Sequence, residues 1–256
     1  MGLISSNWWE GPVATFDLET TGLDVLEDRI VQAAILVIEP DGTTRDGGWS
    51  GLINPGVSIP AEATEIHDIT DDMVRQDGVP ASQALPEIAE VFSECAALGL
   101  PLVIYNAPFD WPFIHAEAAR HGTSIPWMDI IDPLVCDRAL DKFRPGRRTL
   151  ASNAEMFGIP LTAHTAAADA IAAAAVAREL AAQHEILRTS SAEALQGLQR
   201  QWHLDWAVGY EQHLKDGSGQ NDADIDKHWP VPEKAMTLSY QKRPSRGFFA
   251  RIFRRK

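Results

Sequence analysis

Val13-Ala14-Thr15-Phe16-Asp17-Leu18-Glu19-Thr20-Thr21-Gly22-Leu23 is an apolar, β-favouring run that delivers two acids and then breaks at a glycine. On a strand successive side chains alternate faces, so Asp17 and Glu19 point the same way, their Cα atoms about 6.6 Å apart. Phe16 and Leu18 point to the other face and read as packing. Two unpaired carboxylates brought to about 4 Å repel by roughly 4 kcal/mol at an effective dielectric near 20, so a cation belongs between them. Taken alone, Asp-x-Glu also describes a strand edge whose acids face water. The rest of the chain decides between the two.

Moving outward, Ile30 to Ile38 and Gly47 to Ile53 read as two further strands around the turn Pro40-Asp41-Gly42, an antiparallel start to a sheet. Thr70 caps a short helix begun by Asp71-Asp72. Ser82 is the expected cap of a helix to about Leu98, with Leu85, Ile88, Ala89 and Phe92 on one stripe. Pro101 to Tyr105 is a short buried-strand pattern leading into Asn106-Ala107-Pro108-Phe109-Asp110, where a helix starts. Asp110 therefore lies near a helix N-terminus at a strand end, where ligands of α/β sheets gather. Ile130-Ile131-Asp132 is another short strand, followed by a helix from about Pro133. The basic loop that follows, with Lys142, Arg144, Arg147 and Arg148, is either a solvated connector or a set of phosphate contacts. Further on, Thr165 caps an alanine-rich helix to about Gln183, which carries Asp169 in its first turn. His164 then stands outside that helix, free to turn toward a site that Asp169 also reaches.

Four carboxylates with no clustered cysteines or histidines offer oxygen ligands only, which suits Mg²⁺ or Mn²⁺ and disfavours zinc. Taken in order, Asp17-x-Glu19, Asn106-x-x-x-Asp110 and His164-x-x-x-x-Asp169 resemble the DEDD exonuclease family in its histidine subclass. That family includes the epsilon proofreading subunit of DNA polymerase III and ribonuclease T. The resemblance runs roughly from Val13 to Ala182, and Glu65 to Thr70 is similar to a family segment in which glycine stands where this chain has Asp68. The Ile131 to Leu134 stretch and the basic loop look most like stand-alone exonucleases of actinobacteria and their phages.

The resemblance implies an α/β fold, a ribonuclease H-like mixed sheet of three antiparallel strands followed by parallel strands, flanked by helices, with a C-terminal helical extension. It implies two Mg²⁺ or Mn²⁺ ions per site, bridged by Asp17 and completed by Glu19, Asp110 and Asp169, with His164 taking a proton from the attacking water. Thr20, Thr21 and Leu23 would surround a 3′-terminal nucleotide, Ile66, His67 and Phe109 would line its base and sugar, and Asn106 would support the strand end or a phosphate. The implied reaction releases 5′-mononucleotides from single-stranded or frayed DNA 3′ ends. RNA 3′ trimming, and a non-catalytic nucleic-acid or replication-assembly module, are the alternatives. A binding module has no need of all four acids and the histidine together.

Of the net charge of −14, the segment Lys242 to Lys256 contributes seven basic residues and no acid, which leaves −21 on the rest. A body that acidic is no general duplex clamp and should meet nucleic acid through metal ions and a few placed cations. The expected organisation is an exonuclease domain over 1–185, a helical and extended appendage over 186–232 and a basic, flexible tail over 233–256. The tail is a candidate contact for nucleic acid or for a replication or repair protein. In the appendage, Leu195, Leu198, Trp202, Trp206 and Tyr210 form an apolar stripe expected to pack back on the domain. With no apolar run near 20 residues and no secretory pattern, the chain reads as cytoplasmic with no transmembrane segment. Cys95 and Cys136 read as reduced thiols.

Overall fold

The computed structural model describes residues 7–161, 165–217, 220 and 222–236. Its strands are β1 (Val13–Thr20), β2 (Ile30–Ile38), β3 (Thr44–Asn54), β4 (Val79–Pro80), β5 (Leu102–Val103) and β6 (Ile130–Ile131). Its helices are α1 (Ala61–His67), α2 (Asp71–Gln76), α3 (Ala81–Ala97), α4 (Ala107–Arg120), α5 (Pro133–Leu140), α6 (Leu150–Phe157), α7 (Ala166–Gln183), α8 (Glu185–Thr189) and α9 (Ala192–Gly217). The strands form one mixed sheet in the order β4-β3-β2-β1-β5-β6. Antiparallel pairing joins β1, β2 and β3, while β5 and β6 add in parallel beside β1, as does β4 beside β3. The expected mixed sheet is therefore present, with a two-residue parallel strand added at its far edge.

Alternation along β1 sorts its side chains between two cores. Ala14, Phe16 and Leu18 face α3 and α4, where Phe16 meets Phe92 at 5.1 Å and Phe92 meets Trp111 at 6.2 Å, both edge to face. Such pairs add about 0.5–1.5 kcal/mol each beyond their burial, and they tie α3 and α4 to the central strand. Val13 faces α7 together with Ala34, Leu36 and Ile38 of β2. On α7, Ala170, Ala173, Ala174 and Ala177 are buried and small enough for the helix to lie close on the sheet. The Thr15 hydroxyl donates to the Ala170 carbonyl at 2.7 Å, which fixes that helix along the strand.

The outer edge at β6 is closed by side chains. Gln196 and Gln199 of α9, both buried, accept from the backbone N–H of Ile130 and Asp132 at 3.2 and 2.6 Å and donate to the Ile130 carbonyl at 2.7 and 2.8 Å. An exposed strand edge invites pairing with another chain, and two amides here take the place of a seventh strand.

Three local expectations change. β3 starts at Thr44 rather than Gly47, because its first residues are held by pairing with Val37 and Ile38 and not by their own hydrophobicity. Ser82 does not cap α3; Pro80 occupies the N-cap with no side-chain hydrogen bond. The stripe on α9 divides: Leu195 is buried, while Trp206 and Tyr210 face a groove. Both cysteines are buried free thiols. Among the described residues no helix is long and apolar enough to cross a membrane. His164 and residues 237–256 of the tail lie outside the described residues.

Candidate active site

Asp17 and Glu19 leave β1 on the α7 face, and α7 begins just there. The Thr165 hydroxyl caps the helix by accepting from Ala168 N, and Ala166 N donates to Gln32 Oε1 of β2 at 2.8 Å, so the first turn is pinned to the sheet. Asp169 projects from that turn. One carboxylate oxygen from each of Asp17, Glu19 and Asp169 lies within 4.8 Å of the other two.

Asp110 arrives from the opposite side. Because β5 pairs with β1 only at Ala14 and Thr15, the second half of β1 has no strand on that edge. There Asp110 Oδ1 accepts from Leu18 N at 3.2 Å, between the two acids of the strand. What places α4 for this contact is Asp132, fully buried at the end of β6. Its carboxylate accepts from Asn106 N and Ala107 N, each at 3.0 Å, from Leu134 N at 3.0 Å and from the Trp229 indole at 3.0 Å. One side chain thus caps α4 and α5 together and ties the C-terminal segment to both. Asn106 takes a left-handed conformation, φ 68°, to make the turn into α4, a position asparagine tolerates.

Burial and like charge dominate the electrostatics. Burial pushes the Asp17 carboxyl well above the usual range, reinforced by Asp110, Asp169 and Glu19. Burial and Asp169 push Glu19 up to about 7. Asp110 is also raised, chiefly by burial, against the pull of its backbone hydrogen bonds. An oxygen-only cluster that resists giving up its protons fits a hard divalent cation, which would replace those protons.

The acids open on a cavity of about 420 Å³ whose walls include Asn106, Phe109, Tyr105, Arg138 and Arg148. Other candidate residues sit elsewhere. Thr20 and Thr21 are buried, with hydroxyls turned inward: Thr20 Oγ1 donates to the Gly22 carbonyl at 2.6 Å and Thr21 Oγ1 to Asp28 at 3.0 Å. A Cβ at Gly22 would press on that Asp28 carboxylate, which would have to shift. His67 accepts from Ile69 N at its Nδ1 and therefore donates through Nε2 to the Thr20 carbonyl at 3.3 Å. Burial lowers its pKa, so it is a neutral brace between α1 and the end of β1. Leu23 and Ile66 are exposed apolar side chains. Asp68 takes the left-handed conformation of a helix C-cap, φ 59°, the geometry a glycine would supply more easily.

In the basic loop, Arg144 and Arg148 both grip the buried Asp137, each at 2.8 Å, and so hold the loop's shape. Arg148 still lines the cavity, whereas Lys142 lines the neighbouring groove and Arg147 is exposed. Arg138, which the sequence did not single out, borders both depressions. Its only advance signal was a basic side chain in the last turn of α5, just before the basic loop.

The sequence profile of the family described as Exonuclease matches residues 15–177. The chain is 31% identical over 156 residues to a DNA polymerase III PolC-type protein of Streptococcus pneumoniae, covering 60% of this chain and 10% of that one. It is 36% identical over 104 residues to the DNA polymerase III subunit epsilon of Treponema pallidum, covering 40% of this chain and 44% of the other. The fold is similar to that of E. coli exonuclease I in complex with a dT13 oligonucleotide, at a TM-score of 0.59 and 20% identity over 69% of this chain and 42% of that one. The chain thus spans less than half of each of these relatives. The family match takes in α4 and most of β1 and α7, the elements that bring the acids together, and the chain belongs to the exonuclease family.

Proposed function

We propose that the chain is a 3′→5′ exonuclease that releases 5′-mononucleotides from single-stranded or frayed DNA ends with two Mg²⁺ or Mn²⁺ ions. The observation that carries this reading is the meeting of Asp17, Glu19 and Asp169 oxygens within 4.8 Å, with Asp110 buried against the same strand. Asp17, Glu19, Asp110 and Asp169 hold the metal. When bound, such ions neutralise the phosphate and lower the pKa of the attacking water. His164 takes the proton from that water, a role worth about 10²–10⁴-fold for a positioned base. Phe109 and Asn106 flank the terminal nucleotide, and Leu23 and Ile66 offer apolar surface to its base. DNA as substrate is supported by the DNA polymerase III relatives. Residues 1–185 carry the chemistry, 186–232 brace it, and the tail over 233–256 meets nucleic acid or a replication or repair partner in the cytoplasm.

The test is a single-stranded oligonucleotide labelled at either end, incubated with Mg²⁺ or with EDTA. The reading predicts immediate release of labelled mononucleotide from the 3′ end and a shrinking ladder from the 5′-labelled strand, both abolished by EDTA. Mononucleotide released first from the 5′ end, or internal cuts, would overturn it.

A further inference from the structure

We propose that the groove beside the acidic cavity is a binding track for the single strand that leads away from the reacting 3′ end. It is formed where α9, which lies outside residues 15–177, faces the end of α5 and the basic loop. This rests on the exonuclease reading for its direction only.

The groove, of about 1220 Å³, adjoins the cavity at Arg138 and Arg148, which line both. Its walls alternate cations and rings. The Arg138 guanidinium lies 3.7 Å from the centroid of the Trp206 ring and forms no salt bridge among the described residues. Trp206 stacks on Tyr210 at 5.4 Å and 14°, and Tyr210 is 42% exposed. On the other wall Phe143 is 91% exposed, with the Lys142 ammonium 6.0 Å from its ring. Arg148 is held by the buried Asp137, and against Arg138 and Lys142 the lining carries a single acid, Asp205.

A bare phenylalanine on a basic loop gains nothing from water, but it offers a face to a base. Aromatic faces interleaved with cations are what a single strand needs, since its bases stack and its phosphates pair. A duplex hides its base faces and would meet the acidic body, so the groove fits a single strand. A protein partner would find no comparable reason for the groove to run into a cluster of four carboxylates.

The experiment compares a dinucleotide with a strand of about ten nucleotides, as DNA and as RNA, on the wild-type chain, Phe143→Ala and Tyr210→Ala. Affinity is read by anisotropy in EDTA, and kcat/KM in Mg²⁺. Each variant should bind the longer strand about five- to a hundredfold more weakly, and the ratio of long-strand to dinucleotide kcat/KM should fall by a similar factor. Dinucleotide turnover reports that each variant is folded. The proposal is overturned if both variants bind the longer strand like the wild type, or if the wild-type chain binds long and short strands equally. If the wild type binds long strands and variants that melt at the wild-type Tm lose them, yet the wild type cuts nothing in Mg²⁺ or Mn²⁺, the groove stands and the exonuclease reading falls.

Discussion

The acidic cavity and the groove beside it share Arg138 and Arg148 but hold their charges in opposite ways. In the cavity, carboxylates are forced together by strand alternation, a helix cap and a buried bracket at Asp132, at the cost of like-charge repulsion and desolvation. In the groove, Arg148 is paired with Asp137, and Arg138 and Lys142 lie beside aromatic rings with no like charge forced against them. On this contrast a cation should stabilise the cavity and not the groove, so metal and pH should act on one and leave the other alone.

The sharpest way to separate the two is Asp17→Ala. Metal-dependent hydrolysis should fall by orders of magnitude, while affinity for single strands in EDTA stays near the wild-type value. Without metal this variant should also melt higher, because one buried like charge is gone. Near-normal turnover in Mg²⁺ would break the assignment.

Next in size is Asp132→Ala, which strips the shared acceptor from the starts of α4 and α5 and from Trp229. Leaving those donors unsatisfied should cost about 3–5 kcal/mol in denaturant unfolding. Displacement of Asp110 should lower kcat by about 10²-fold. If stability falls but kcat in the folded fraction holds, Asp132 does not position the site.

The pH dependence comes third. Glu19 has its folded pKa raised from 4.5 to about 7, and Asp17 and Asp110 are displaced in the same direction. Between those values the folded chain binds more protons than the unfolded one, so metal-free stability falls as pH rises through this window, by about 3 kcal/mol for Glu19 alone, and stays lost above it. Added Mg²⁺ should therefore raise Tm more at about pH 8 than at about pH 5. An equal rise at both would contradict the electrostatic picture, and strand affinity in EDTA should follow neither trend.

The smallest effect expected is from Asp68→Gly, about 1 kcal/mol of added stability with turnover unchanged, since glycine occupies φ 59° without strain. A loss of stability would show that the Asp68 side chain does something beyond tolerating the turn.

Local periodicity made much of this legible in the sequence. The Asp17-x-Glu19 alternation, the Thr165 cap that sets Asp169 in a first turn, and the Thr70 cap all act within a few residues. What stayed hidden depends on partners far along the chain. Strands β5 and β6 are two residues each and are defined by their neighbours. The amide lids of Gln196 and Gln199 sit more than 60 residues from the edge they close. The basic loop reads as loose positive charge until Asp137 is seen to anchor two of its arginines. The outer half of the α9 stripe looks like core by spacing alone, because periodicity identifies a face but not what covers it.

A calorimetric titration of the metal-free chain with Mn²⁺ asks whether the four carboxylates form a divalent-metal centre. Expected are two bound ions per chain at about pH 8, an affinity that weakens as pH falls through about 7 where Glu19 takes up its proton, and loss of tight binding in Asp17→Ala. Mn²⁺ binding that is indifferent to pH across this range, or undiminished in Asp17→Ala, would contradict it.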